Sequence, residues 1–141
     1  MFYNALLYPL LLQVALSFCV LFILFARRVR EFNRLRIHPD TVPTRTQAHE
    51  VLQDSAAASD NLQNQFELPV LFFVAVLLAI TLLLRDPLFA TLAWTFVALR
   101  LAHAVIHLTY NAVMHRFFFY LLSAFVLLMM WARLGWLIFL R

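Results

Sequence analysis

Of 141 residues, 65% are hydrophobic and 16% are aromatic, and the mean hydropathy is +0.85. Soluble domains are about half apolar, so this composition reads as a one-domain integral membrane protein. One Gly and five Pro leave little room for long irregular loops. The lone Cys19, read as a small packing residue, excludes an intrachain disulfide and a cysteine-based metal cage.

The net charge is +4, and all 11 basic residues are Arg. Five of them fall within Arg27–Arg36, directly after an apolar segment. A juxtamembrane cluster of this kind is first a topology signal and second a contact for lipid headgroups, so nucleic-acid binding is set aside.

The first predicted helix spans residues 2–26, an apolar run broken only by Asn4, Gln13 and Ser17. It suffices to cross the hydrocarbon core, which takes about 20 residues. No basic residue precedes it and no small-residue cleavage site follows, so it is not read as a signal peptide. Residues 27–54 form a polar loop, with turns at His38-Pro39-Asp40 and Val42-Pro43 and a short helical piece after Thr46. A second helix covers residues 55–84 and is expected to kink at Pro69. Arg85-Asp86-Pro87 then connects it to an antiparallel third helix over residues 88–110. The fourth runs from 117 to 140. The Arg balance places the 27–60 stretch and Arg116 in the cytoplasm, with both termini on the opposite side. Arg133 is expected to snorkel outward.

Polar residues inside these spans are costly and therefore informative. Asn64 and Glu67 stand three apart at the mouth of helix two, on one face if the helix is continuous. On helix three, Arg100, His103 and His107 follow i, i+3, i+7, a single stripe that Tyr110 extends. Arg100 is the expected partner of Glu67. Arg116 and Tyr120 open helix four one turn apart. Together these residues predict a polar, cationic pocket at the cytoplasmic edge, suited to a small anionic ligand that Arg can grip. His103 and His107 have a metal-compatible spacing, but the helix offers no carboxylate or thiolate beside them, so no metal is expected.

The pattern Asn64-x-x-Glu67-x-Pro69, Arg100-x-x-His103-x-x-x-His107 and Arg116-x-x-x-Tyr120, set on apolar helices, resembles the MAPEG superfamily. These are membrane-associated proteins of eicosanoid and glutathione metabolism. The resemblance covers roughly residues 60–125 and extends to size, helix count and the basic first loop. It implies an all-α four-helix membrane bundle, a homotrimer, and a bacterial-type member in the inner membrane. It further implies glutathione bound between subunits near the cytoplasmic face, as co-substrate for attack on a lipophilic small molecule. In that scheme Arg116 stabilises the thiolate, and Asn64, Glu67, Arg100, His103, His107 and Tyr120 bind glutathione.

Two positions depart from the pattern. Asp60 stands where many glutathione-using members carry Arg, and would repel a glutathione carboxylate; His107 replaces a Tyr. They keep open a second function from another class, a non-enzymatic subunit that binds lipid or joins a larger membrane complex.

Overall fold

The computed structural model describes residues 2–140. It has six α-helices: α1 (Phe2–Leu35), α2 (Arg45–Val51), α3 (Gln53–Asn64), α4 (Leu68–Thr81), α5 (Pro87–Leu108) and α6 (Val113–Phe139). A 3-10 turn, Pro39–Thr41, lies between α1 and α2. Among the described residues, four stretches are long and apolar enough to cross a membrane: Asn4–Leu35, Gln53–Thr81, Pro87–Leu108 and Val113–Phe139. The chain is a multi-pass membrane protein built as a four-helix bundle.

α1 does not stop at Ala26 but continues to Leu35. The residues read as the start of a loop are mostly Arg, Glu and Leu, all good helix formers, so the helix simply leaves the apolar zone. The connection shrinks to residues 36–52 and is itself partly helical. Thr44 begins α2 with a reciprocal cap, its Oγ1 accepting from the Gln47 amide while the Gln47 side chain accepts from the Thr44 amide, both at 3.3 Å.

The Leu52–Gln53 junction leaves α3 with no cap of its own, and Glu31 on α1 supplies one. Its carboxylate, only 2% exposed, accepts from the Asp54 amide at 2.9 Å and from the Ser55 amide at 3.0 Å. Arg34 then pairs with Asp54 at 2.6 Å. At the same end, Arg27 donates to the Leu108 carbonyl at 2.7 Å, closing the last turn of α5.

The second span is broken rather than kinked. α3 ends at Asn64, Glu67 takes a non-helical conformation (φ −97°, ψ −99°), and α4 starts anew at Leu68. Pro69 falls in the first turn of α4, where its missing N–H costs nothing. The break is clamped by buried amides. Gln13 of α1 donates to Gln65 at 2.9 Å, Gln65 donates to Asn61 at 3.1 Å, and Asn61 donates to the Ala104 carbonyl of α5 at 3.1 Å. α1, α3 and α5 are thereby held in one register.

Below this level the core is apolar. Phe72, Val76 and Ala79 of α4 meet Phe89, Ala93 and Phe96 of α5 and Leu127, Met130 and Leu134 of α6. Phe72 and Phe96 stack at 4.6 Å between centroids. Lipid is as apolar as these side chains, so close packing allowed by Ala75, Ala79 and Ala93 holds the helices together.

The opposite end is closed by Asp86. Its carboxylate caps α5 by accepting from the Phe89 amide at 2.7 Å, and it also accepts from Arg133 Nε at 3.1 Å. Arg133 thus reaches a carboxylate in the connection at this end of the bundle. The Arg133 hydrogen bond holds the Asp86 carboxyl below its usual range. A lowered folded-state value means that the contact stabilises the fold above the unfolded value, about pH 3.9, and is lost as pH falls through the lower folded value. Asp86→Asn is expected to destabilise the bundle by about 1–3 kcal/mol at pH 7. Thermal unfolding in detergent should show the two proteins converging in strong acid; a gap unchanged by acid would remove Arg133 from the account.

Candidate functional site

One cleft, of about 420 Å³, opens where α3, α5 and α6 meet at the end that carries the 36–52 connection. α3 contributes Asp60, Gln63 and Asn64 at helical spacing, and Glu67 follows from the break. α5 contributes His103 and His107, and α6 contributes Val113, Arg116, Phe117 and Tyr120. Six of the seven residues singled out in the sequence line this one space; Arg100 does not.

α6 starts early enough to bring Arg116 a full turn inside, because the chain reverses at Asn111, which adopts a left-handed conformation (φ 50°) that Asn tolerates. The same Asn111 accepts from Arg116 Nη1 at 2.9 Å, and His107 Nε2 lies 2.6 Å from that nitrogen. A guanidinium can only donate, so His107 Nε2 carries a lone pair toward it. The position where a Tyr would donate a hydrogen bond therefore accepts one instead.

His103 is set by the same logic. Its Nδ1 lies 2.9 Å from the Arg116 carbonyl, which can only accept, so Nδ1 holds the proton. Nε2 is then the acceptor facing Asn64 Nδ2 at 3.4 Å. One imidazole thus links the last turn of α3 to the first turn of α6. The two rings meet edge to face at 5.6 Å.

Glu67 is exposed and accepts from Tyr120 at 3.1 Å and from Gln63 at 3.4 Å. It is not bonded to Arg100, contrary to the expected pairing. Arg100 is fully buried, donates through Nη2 to the Asn64 carbonyl at 2.6 Å, and lies 5.7 Å from the Tyr120 ring centroid. The break at residues 65–67 accounts for both facts. It leaves the Asn64 carbonyl without a helical partner for Arg100 to satisfy, and Glu67 is taken up by Tyr120 and Gln63 instead.

The lining is also less cationic than expected. Its formally charged groups are the carboxylates of Asp60 and Glu67 and the guanidinium of Arg116. Asp60 is engaged from above by His49 of α2 at 2.7 Å, so the short helix of the connection touches the rim. Such a lining can hold a ligand with both signs of charge: an ammonium at the carboxylates and an anion at Arg116.

Several structural residues gave only weak sequence signals. Gln13, Asn61 and Gln65 are uncharged amides in apolar or amphipathic stretches, and their partners lie 52 and 43 residues away. A polar residue inside a membrane span was the available hint.

No curated protein and no solved structure matches the chain. A family model does, the MAPEG family, over residues 6–136. With that match covering nearly the whole length, and with the bundle and its cleft as described, the chain belongs to the MAPEG family.

Proposed function

We propose that this protein is a glutathione-dependent transferase or peroxidase acting on lipophilic electrophiles that reach it from the bilayer. The observation that carries the reading is the convergence of Arg116, Asn64, Glu67, His103, His107 and Tyr120 on one cleft in a MAPEG bundle. The lining fits the tripeptide: Glu67 and Asp60 offer acceptors for its ammonium, Asn64 and Gln63 offer amides for its backbone, and Arg116 offers a cation.

Arg116 has the catalytic role. A thiol with pKa about 8.5 is mostly protonated at neutral pH, and an adjacent guanidinium favours the reactive thiolate. His107 and Asn111 aim that guanidinium in advance, so little reorganisation accompanies the reaction. Tyr120, His103 and Asn64 set the shape of the cleft. Arg100 acts from behind it by fixing Asn64.

The same reading makes the chain a single membrane domain that assembles as a homotrimer in a bacterial inner membrane. The 36–52 connection faces the cytoplasm and both termini lie on the opposite side. Clustering of Arg27, Arg28, Arg30 and Arg34 at the cleft end supports that orientation.

Titration of the detergent-solubilised protein with glutathione tests the proposal. Saturable binding by the wild type, with a thiolate absorbance at neutral pH that is lost in Arg116→Ala, is the expected result. No binding by the wild type, together with copurification of a stoichiometric partner, would replace it with the accessory-subunit reading.

A further inference from the structure

We infer that the groove between α1 and α5 holds one anionic phospholipid, its phosphate on Arg27 and Arg30 and an acyl chain below. The site is built from two helices of a single chain, and none of its lining residues belongs to the cleft of α3, α5 and α6.

On α1, Leu12, Leu16, Cys19, Ile23, Arg27, Arg30 and Arg34 recur at intervals of three or four, which is one stripe of the helix. The apolar part of that stripe faces Leu101, Val105 and Leu108 of α5 across a groove of about 280 Å³. Leu12, Ile23, Leu101 and Val105 remain exposed, so the groove is open along one side. Its length suits a lipid chain. Leu12 to Ile23 rises about 16 Å, close to half of a hydrocarbon core about 30 Å thick, which is one leaflet.

The stripe then leaves the apolar zone and enters a polar hollow of about 180 Å³, lined by Arg27, Arg30, Glu31, Arg34 and Asp54. Both carboxylates there are already taken. Glu31 is buried and accepts from the Asp54 and Ser55 amides, and Asp54 is held by Arg34 at 2.6 Å. Arg27 donates to the carbonyl of Leu108, which lines the groove, so the polar hollow adjoins the apolar one. Arg30 is exposed and, among the described residues, makes no hydrogen bond or ion pair. Two guanidinium charges are thus left without a carboxylate at headgroup level. A phosphodiester matches them, and no free carboxylate remains for the ammonium of a zwitterionic headgroup. The hollow therefore favours an anionic lipid.

Cys19 supplies the test, because it lines the groove, is exposed and is the single cysteine. The rate at which N-ethylmaleimide alkylates it in the delipidated, detergent-solubilised full chain reports whether the groove is filled. Dioleoylphosphatidylglycerol should slow alkylation, and native mass spectrometry should count one retained lipid per chain. Dioleoylphosphatidylcholine should protect more weakly, and inorganic phosphate, which has no chain, not at all. Arg30→Gln should weaken protection by the anionic lipid about fivefold, the usual weight of one Arg at an anionic surface. Arg28→Gln, one residue from Arg27 but lining a different hollow with Val42 and Thr44, should leave it unchanged. Equal protection by the two lipids, unchanged protection in Arg30→Gln, or equal loss in both variants would reduce the contact to unspecific solvation and overturn the inference. Protection by inorganic phosphate would overturn it as well, by giving the hollow to a free anion. Neither measurement involves glutathione, so the result stands apart from the activity proposed above.

Discussion

Arg116→Ala is expected to lower glutathione-dependent turnover by about 10²–10³-fold, the usual cost of removing one preorganised charge-stabilising donor. Arg116 is half-buried and held from two sides, by His107 Nε2 at 2.6 Å and Asn111 Oδ1 at 2.9 Å. Its charge therefore stands in the cleft before any ligand arrives. If its role is to favour the thiolate, kcat/KM should fall far more than binding affinity, and the thiolate absorbance of bound glutathione should disappear at neutral pH. Arg116→Lys should recover part of the rate, because a point charge remains but cannot reach both acceptors. Stopped-flow absorbance with a hydrophobic electrophile in micelles separates the outcomes. Full activity in the alanine variant would remove Arg116 from the chemistry.

Arg100→Leu should cost about 1–2 kcal/mol of stability, within the usual cost of leaving a buried carbonyl without its donor. Opposing terms enter that figure. The guanidinium is fully buried, and its Nε and Nη1 have no hydrogen-bond partner among the described residues, so deleting it relieves a desolvation cost. Against this, leucine leaves the Asn64 carbonyl unsatisfied at the helix break, worth about 1–3 kcal/mol. It also forfeits the contact with the Tyr120 ring and the field that Arg100 provides near Glu67. The second set outweighs the first, because the carbonyl cannot move without reopening the break that Gln13 and Gln65 clamp. Thermal denaturation in detergent measures the result. A leucine variant as stable as the wild type would mean that the buried charge is a net cost and that Asn64 finds another donor.

The four spans were legible because long apolar runs need no tertiary information, and the stripe Arg100, His103, His107 was legible because α5 is unbroken. The faults lie where continuity was assumed. Helical spacing reads Asn64 and Glu67 as one continuous helix, yet three residues of irregular backbone separate α3 from α4, although both side chains still line the cleft. Pro69 signalled a disturbance, but whether a proline kinks a helix or begins one depends on the residues before it. The basic tract after Ala26 reads as a loop by its charge, although its residues favour helix. Glu31 as a cap for α3 and Arg27 as a cap for α5 join residues 23 and 81 positions apart, beyond any local pattern.

The break between Gln65 and Leu68 has an electrostatic consequence of its own. A single long helix would have its positive pole only in the connection region, far from the bilayer. By starting again at Leu68, α4 brings a second set of free backbone amides, with about half a unit of positive charge, to the edge of the apolar zone. Glu67 stands at that pole as the residue preceding the first turn. The carboxylate that looked as if it required an arginine thus stands beside a helix pole while Tyr120 and Gln63 donate to it, and Arg100 is left to hold the cleft from behind.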